Sequence, residues 1–401
     1  MSELTAAKLR QAAGLVAASG ADLWLVFVRE TAEGGDPILP LILEGGLTWQ
    51  SALIVAASGR KIAVVGNYDA DALRASGEWD DVVPYVQGIR ADLGLALDRL
   101  VPDLPRPPRI AVDFSLDDPK ADGLTHGMYL LLQDLLEGTR FEGCCVSAEA
   151  IASGLRGRKV PEELRRLRRA VRETEEIFRE VGAQAGLGHS ERDIFTFTQE
   201  RILARGLGFS WERHGDPIVN TGPDSMVGHG LPSPAIRVAP GHILHLDLGV
   251  LFEGYASDLQ RCWFVREPHH PGLPHEVEHA FAVVHGAISE GARALRPGIE
   301  GWRVDEAARN FVVAAGWPEY QHALGHQVGR MAHDGGGVLA PRWERYGRSP
   351  YLPVELDQVF TLELGVMVEG RGYLGLEEMV LVTADGCTWL SERQDDLPVI
   401  G

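Results

Sequence analysis

Apolar and polar residues interleave in short blocks through the first part of the chain. Apolar positions at helical spacing run from Leu4 to Ser19, and compact apolar runs at Leu23–Val28, Ser51–Ala56 and Lys61–Val65 read as strands. A further strand is predicted at Ile110–Phe114, between the proline-rich stretch Pro102–Pro108 and Asp117, and a helix at Gly123–Leu136. Helices alternating with strands predict a small α/β domain over residues 1–155.

A new pattern opens at Pro161. Proline at the helix start and glutamates in the first turn suit a helix N-terminus, and Leu164, Leu167, Val171 and Ile177 give the segment to Gly182 one apolar stripe. Its basic cluster, Arg165, Arg166, Arg168 and Arg169, is flanked by Glu162, Glu163, Glu173, Glu175 and Glu176, which predicts a salt-bridged solvent face. Beyond it, helices are predicted at Glu191–Arg205, Pro274–Leu295 and Val304–Ala315. Strands are predicted at Ile243–Phe252, Asp258–Val265, Val359–Val368 and Glu377–Val382. The mixture predicts a second domain, α+β or α/β, over residues 156–401.

Within these strands the acidic residues break the apolar pattern in a regular way. In the segment from His245, Asp247 alternates with Leu246 and Leu248, so it points opposite the leucines. Glu253 and Gly254 read as a two-residue hairpin turn, which sets Asp247 opposite Gln260 and Asp258 opposite Gly249. The two aspartates are then diagonal neighbours on one face, roughly 7–8 Å apart at the backbone, within reach of one cation. Glutamate is a poor strand residue, yet Glu363 and Glu377 both lie in apolar strands. A loop of Glu369–Arg371, or a bulge at the glycines with the same offset, sets them face to face and turns Glu378 to the other side. Between the two hairpins, His322, His326 and His333 fall in a glycine-rich stretch, and His229 precedes the first aspartate strand.

The chain has 401 residues, of which 45% are hydrophobic and 24% charged, enough for two hydrophobic cores. A formal charge of -19 argues against a nucleic-acid partner. Four cysteines without metal-knuckle spacing fit a reducing compartment, and no apolar run approaches membrane-spanning length, so a cytoplasmic protein is expected.

The ordered set His229, Asp247, Asp258, His326, His333, Glu363 and Glu377, in the words HLDLG, YASDLQR, GHQVGRMAH, FTLELG and LEEMVLVT, resembles the prolidase, aminopeptidase P and methionine aminopeptidase group, with its pita-bread fold. The resemblance covers residues 160 to 395, and the preceding portion is similar to the creatinase-type domain of prolidases. It implies an Xaa-Pro dipeptidase with a dinuclear metal centre and a bridging hydroxide; aminopeptidase P is the alternative. A metal-free creatinase-like hydrolase and a non-catalytic binding protein are less expected, since no ligand position is broken. It implies metal ligation by Asp247, Asp258, His326, Glu363 and Glu377, with Asp258 and Glu377 bridging and Glu363 also taking the water's proton. Four carboxylates against two divalent ions balance in charge, and oxygen-rich ligation suits Mn²⁺, with Co²⁺ or Zn²⁺ as alternatives.

His229 and His333 are expected to act on the substrate, and His322 to orient His326. Arg342 or Arg345, in the loop that also holds Arg348, is expected to bind the proline carboxylate. A homodimer is implied as well. Two departures stand out: Gly215 where many prolidases have Tyr, and Gly375 where they have Arg.

Overall fold

A computed structural model of the chain describes residues 3–32, 34–101, 105–228, 230–268 and 272–401. They fall into two compact units, Met1–Arg156 and Gly157–Gly401. Among the described residues no helix is long and apolar enough to cross a membrane.

The first unit is built on one six-stranded sheet. Its centre is the antiparallel pair Leu23–Val28 and Ser51–Ala56, and Ile110–Val112 joins the other side of the first strand in parallel. Every residue of Leu23–Val28 is buried, because both faces of the sheet carry a core. Trp24, Val26 and Val28 pack into one apolar cluster with Leu9, Leu15 and Val16 of the first helix. Leu23, Leu25 and Phe27 pack into the other with Leu93, Leu97, Met128 and Leu132. A strand covered on both sides reads as a continuous apolar run. The helix predicted from Gly123 starts later, at His126, where the Thr125 side chain accepts a hydrogen bond from the Met128 N–H and caps it.

The second unit carries a seven-stranded sheet whose main path runs Val359–Val368, Gly372–Thr383, Leu259–Val265, Ile243–Leu248, Ile218–Thr221. Helices His275–Ala294 and Gly301–Ala314 bury Val277, Val284, Ile288, Val304 and Ala308 in one cluster with Leu362, Leu364, Leu376 and Val380 of the sheet. These sheet residues alternate with Glu363 and Glu377, so packing the leucines under the helices turns both glutamates to the opposite face. On helix Pro161–Gln184, Arg165 and Arg166 pair with Glu162, and Arg169 with Glu173, as the charge pattern predicts.

Both hairpins keep the predicted register. Glu253 (φ 46°) and Gly254 (φ 75°) form the two-residue turn, and both positive φ values match the twist that such a turn needs. Asp247 pairs with Gln260. In the second hairpin Val368 pairs with Gly372 across Glu369–Arg371, and Glu363 lies opposite Glu377. One expectation fails: the continuous strand Ile243–Phe252 is broken into Ile243–Leu248 and Val250–Phe252. The chain is pinched at Gly249, where a Cβ would lie 2.3 Å from the Ser257 carbonyl oxygen and 2.5 Å from Ser210 Cβ. The partner strand accordingly starts at Leu259, so Asp258 sits just ahead of it at the pinch.

Candidate metal centre

Four neighbouring strands carry one row of polar residues. Glu363 pairs with Glu377, Glu377 with Gln260, and Gln260 with Asp247. Residues directly opposite one another share a face, and Asp258, two residues before Gln260, joins that face. Its N–H is held by Met379 Sδ at 3.4 Å.

His326 arrives from a short strand laid along Val359–Val368. The approach requires glycine at 325, where a Cβ would lie 1.9 Å from the Thr361 carbonyl oxygen. The Glu363 N–H donates to Leu324 O at 2.7 Å, and the His326 N–H to Thr361 Oγ1 at 3.1 Å. A buried ion pair anchors the same loop from behind. Arg309, bound to Asp305, donates to the carbonyls of Tyr320 and His322, while Asp305 accepts from the Leu324 N–H.

These elements bring four acids and one imidazole together. His326 Nε2 lies 3.4 Å from Glu363 Oε1 and 3.7 Å from Asp258 Oδ2. One possible ligand atom from each of Asp258, His326 and Glu377 lies within 4.8 Å of the others. The Asp247 carboxyl is close enough to Asp258 for its charge to act on it. Asp247 Oδ1 and both oxygens of Glu377 are buried with no partner in the protein.

Burial, and then repulsion among neighbouring acids, holds the carboxyls of Asp247, Asp258 and Glu377 well above the ordinary range. Glu363 behaves differently. Burial pushes it up, but the His326 contact and the fields of His322 and His333 outweigh this and leave it below its usual value. Orphaned carboxylate oxygens that repel one another are costly unless a cation neutralises them. Hard oxygen donors with one imidazole nitrogen suit divalent first-row ions, so the residues fit a metal.

The remaining expected site residues are distributed unevenly. His333 is exposed at the rim, its ring edge-on to that of His326 with centroids 4.2 Å apart. His229 lies outside the described residues. His322 does not orient His326: its Nδ1 meets Ala323 O at 2.7 Å, and His326 Nδ1 faces Gln327 O at 3.4 Å. The Arg309 bond to the His322 carbonyl fixes that backbone and leaves the ring to its own neighbour. Arg342 lies over the Trp302 ring at 4.2 Å. Arg345 lies over Trp343 and Tyr346 and donates to Gln321 O. Arg342, Arg345 and Arg348 are all exposed.

Three further residues bear on the cluster. Asp216, fully buried next to Gly215, accepts from the Ser210 N–H, and its charge acts on both Asp247 and Asp258. Beside it, the Trp211 indole donates to Gly215 O at 2.9 Å. Gln260 donates from Nε2 to Glu363 Oε2 at 3.0 Å, and its Oε1 faces His245 Nε2 at 3.0 Å. Amide oxygens of Gln260 and Asn220 face the two nitrogens of the His245 ring, and burial pulls its pKa down to about 4 against the Gln260 contact and the Glu363 charge. His245 and Gln260 lie within the words HLDLG and YASDLQR, yet nothing in the sequence marks them as neighbours of the cluster, and Asp216 is marked only by the proline that follows it.

Glu378 shows what the opposite face does. It pairs with Arg261 at 3.0 Å and accepts from Ser391 Oγ and the Gln394 N–H. Replacing Glu378 by Ala strands a buried guanidinium, which is expected to cost about 3–5 kcal/mol of stability. Chemical denaturation measures the loss, and metal bound per folded chain should stay at the parent level.

The family model for metallopeptidase family M24 matches residues 165–384. An Xaa-Pro dipeptidase of Pyrococcus horikoshii is 28% identical over 207 residues, a match that spans 50% of this chain and 55% of that relative. Two solved structures are similar over nearly the whole chain. The dipeptidase PepE of Mycobacterium ulcerans has a TM-score of 0.73 at 24% identity, covering 99% of this chain and 98% of that one. The Xaa-Pro dipeptidase of Bacillus anthracis has a TM-score of 0.72 at 20% identity, covering 99% and 100%. The likeness establishes the expected fold, an α/β domain ahead of a pita-bread domain.

Proposed function

Because the chain belongs to metallopeptidase family M24, we propose that it is an Xaa-Pro dipeptidase with two divalent ions held by Asp247, Asp258, His326, Glu363 and Glu377. The observation that carries this reading is the convergence of these five side chains with three buried carboxylate oxygens left unpartnered. The substrate class rests on the name of the Pyrococcus horikoshii relative. Asp258 and Glu377, in the middle of the cluster, are assigned as bridges, Asp247 to one ion, and His326 with Glu363 to the other. Mn²⁺ is the assigned ion, supported by the oxygen-rich donor set.

When bound, the ions acidify water and polarise the scissile carbonyl. Glu363 accepts the water's proton, a role supported by its ionised carboxylate beside His326. The leaving proline nitrogen must gain a proton, and we assign that role to His333, exposed beside His326; His229 is assigned to the same substrate. The free carboxylate of a dipeptide calls for a guanidinium, and we assign it to Arg342 or Arg345. The free thiols of Cys144, Cys145, Cys262 and Cys387 support a reducing compartment such as the cytoplasm.

The test is hydrolysis of Ala-Pro and Leu-Pro beside Ala-Pro-Ala in the Mn²⁺-loaded protein. A charged hydrogen bond to the terminal carboxylate should favour the dipeptides by about tenfold in kcat/KM. The reverse preference would make the protein an aminopeptidase P, and no cleavage of any of them would remove the reading.

A further inference from the structure

The space beside Gly375 is already filled. A Cβ there would lie 2.5 Å from Tyr373 Cε1, 2.9 Å from Gln260 Oε1 and 3.1 Å from His245 Nε2. Glycine at this position therefore makes room for an amide and an imidazole from the two neighbouring strands. Gln260, buried in the middle of the polar row, reaches across Glu377 to Glu363 and donates to its Oε2. That leaves Glu363 Oε1 as the oxygen facing His326.

A glutamine amide can point either end outward, and only its nitrogen can donate to a carboxylate. His245 sits against the other end. Its Nε2 lies 3.0 Å from the amide oxygen, so the two ends of the amide are held between the ring and Glu363, with the nitrogen on the Glu363 side. The ring cannot swing away, because the Tyr373 ring stands edge-on to it with centroids 5.0 Å apart, and Asn220 closes its other side.

We infer that Gln260, oriented by His245 in the space left by Gly375, is a positioning residue that fixes which oxygen of Glu363 faces His326. It touches neither substrate nor reacting atoms and acts through the Glu363 carboxylate. The catalytic consequence rests on the proton-acceptor role proposed for Glu363; the placement of the carboxylate does not.

The test compares Gln260→Met, which keeps the volume and removes the donor, with Gln260→Ala, which removes both. Loss of one hydrogen bond to a charged acceptor should lower kcat by about tenfold in each, with KM and bound metal per chain at the parent level. In protein loaded with Co²⁺ the visible absorption band should shift in both variants, since the carboxylate can then rotate. Parental kcat and an unchanged Co²⁺ spectrum in Gln260→Met would overturn the inference and leave Gln260 a packing residue. Metal loss in proportion to activity would overturn it as well. If the parent cleaves no Xaa-Pro dipeptide, the functional reading fails while the Co²⁺ spectra still decide the role of Gln260.

Discussion

Replacing Glu377 by Gln is expected to abolish the proposed hydrolysis and at the same time to make the metal-free protein more stable. The two effects have one origin. Glu377 is 1% exposed, neither of its oxygens has a protein partner, and Asp258, Glu363 and Asp247 all repel it. Without metal, this acid is an uncompensated load on the fold, and the isosteric amide relieves it. With metal, the same carboxylate is assigned to both ions, and the amide cannot supply that charge. Several kcal/mol of transition-state stabilisation are lost, or roughly 10³-fold in kcat/KM. Thermal denaturation of chelated and Mn²⁺-loaded forms, run beside the activity assay, checks both halves. A metal-free variant less stable than the parent would contradict the account, because it would mean that Glu377 is satisfied within the protein.

The second large effect is a dependence of metal-free stability on pH. Unfolded Asp and Glu titrate near about 3.9 and 4.3. In the folded chain burial holds Asp247, Asp258 and Glu377 well above those values. The native state then binds more protons than the unfolded state, and its stability must fall as pH rises. Their contribution is complete below about pH 4 and disappears as pH climbs through the raised values. Glu363, held below its usual value, has the opposite sign: its contribution is present above the unfolded pKa and is lost as pH falls through the folded one. Buried Asp216, also raised, adds to the fall, while His245, pulled down to about 4, opposes it between there and the ordinary histidine value; the raised carboxyls prevail and the net slope is downward.

Divalent metal replaces the protons, so loading should flatten that slope. At one hundred times its Kd it should add about 2.7 kcal/mol. Urea denaturation between about pH 5 and pH 8, in chelator and in Mn²⁺, measures this. A chelated protein that gains stability across that range would sink the prediction.

Both hairpins could be read in the sequence because local chemistry sets their register. Glu253–Gly254 is a strong two-residue turn, and alternation around it carries the register back to Asp247. The three-residue loop Glu369–Arg371 does the same for Glu363 and Glu377. What remained hidden depends on contacts between strands distant along the chain. Only the pairing of Gln260 with Glu377 carries the Gln260 amide to Glu363, and no single segment contains that information. The pinch at Gly249 depends likewise on Ser210 and Ser257, which the hydrophobic pattern does not mark. The expectation that His322 orients His326 follows from a ligating histidine's need for a partner at its second nitrogen, whereas the Asp305–Arg309 pair holds the backbone of that loop.

The row of acids also has a consequence for biosynthesis. Gln260 and Glu363 touch across 103 residues, and Arg261 and the Glu377 carbonyl across 116. A chain emerging from the ribosome completes the hairpin bearing Asp247 and Asp258 long before the rest of the cluster exists, and two aspartates alone are a poor trap for ions. On the proposed ligand set, cation capture therefore waits until the hairpin bearing Glu363 and Glu377 has also been made, and a loaded centre marks a second unit whose distant strands have paired.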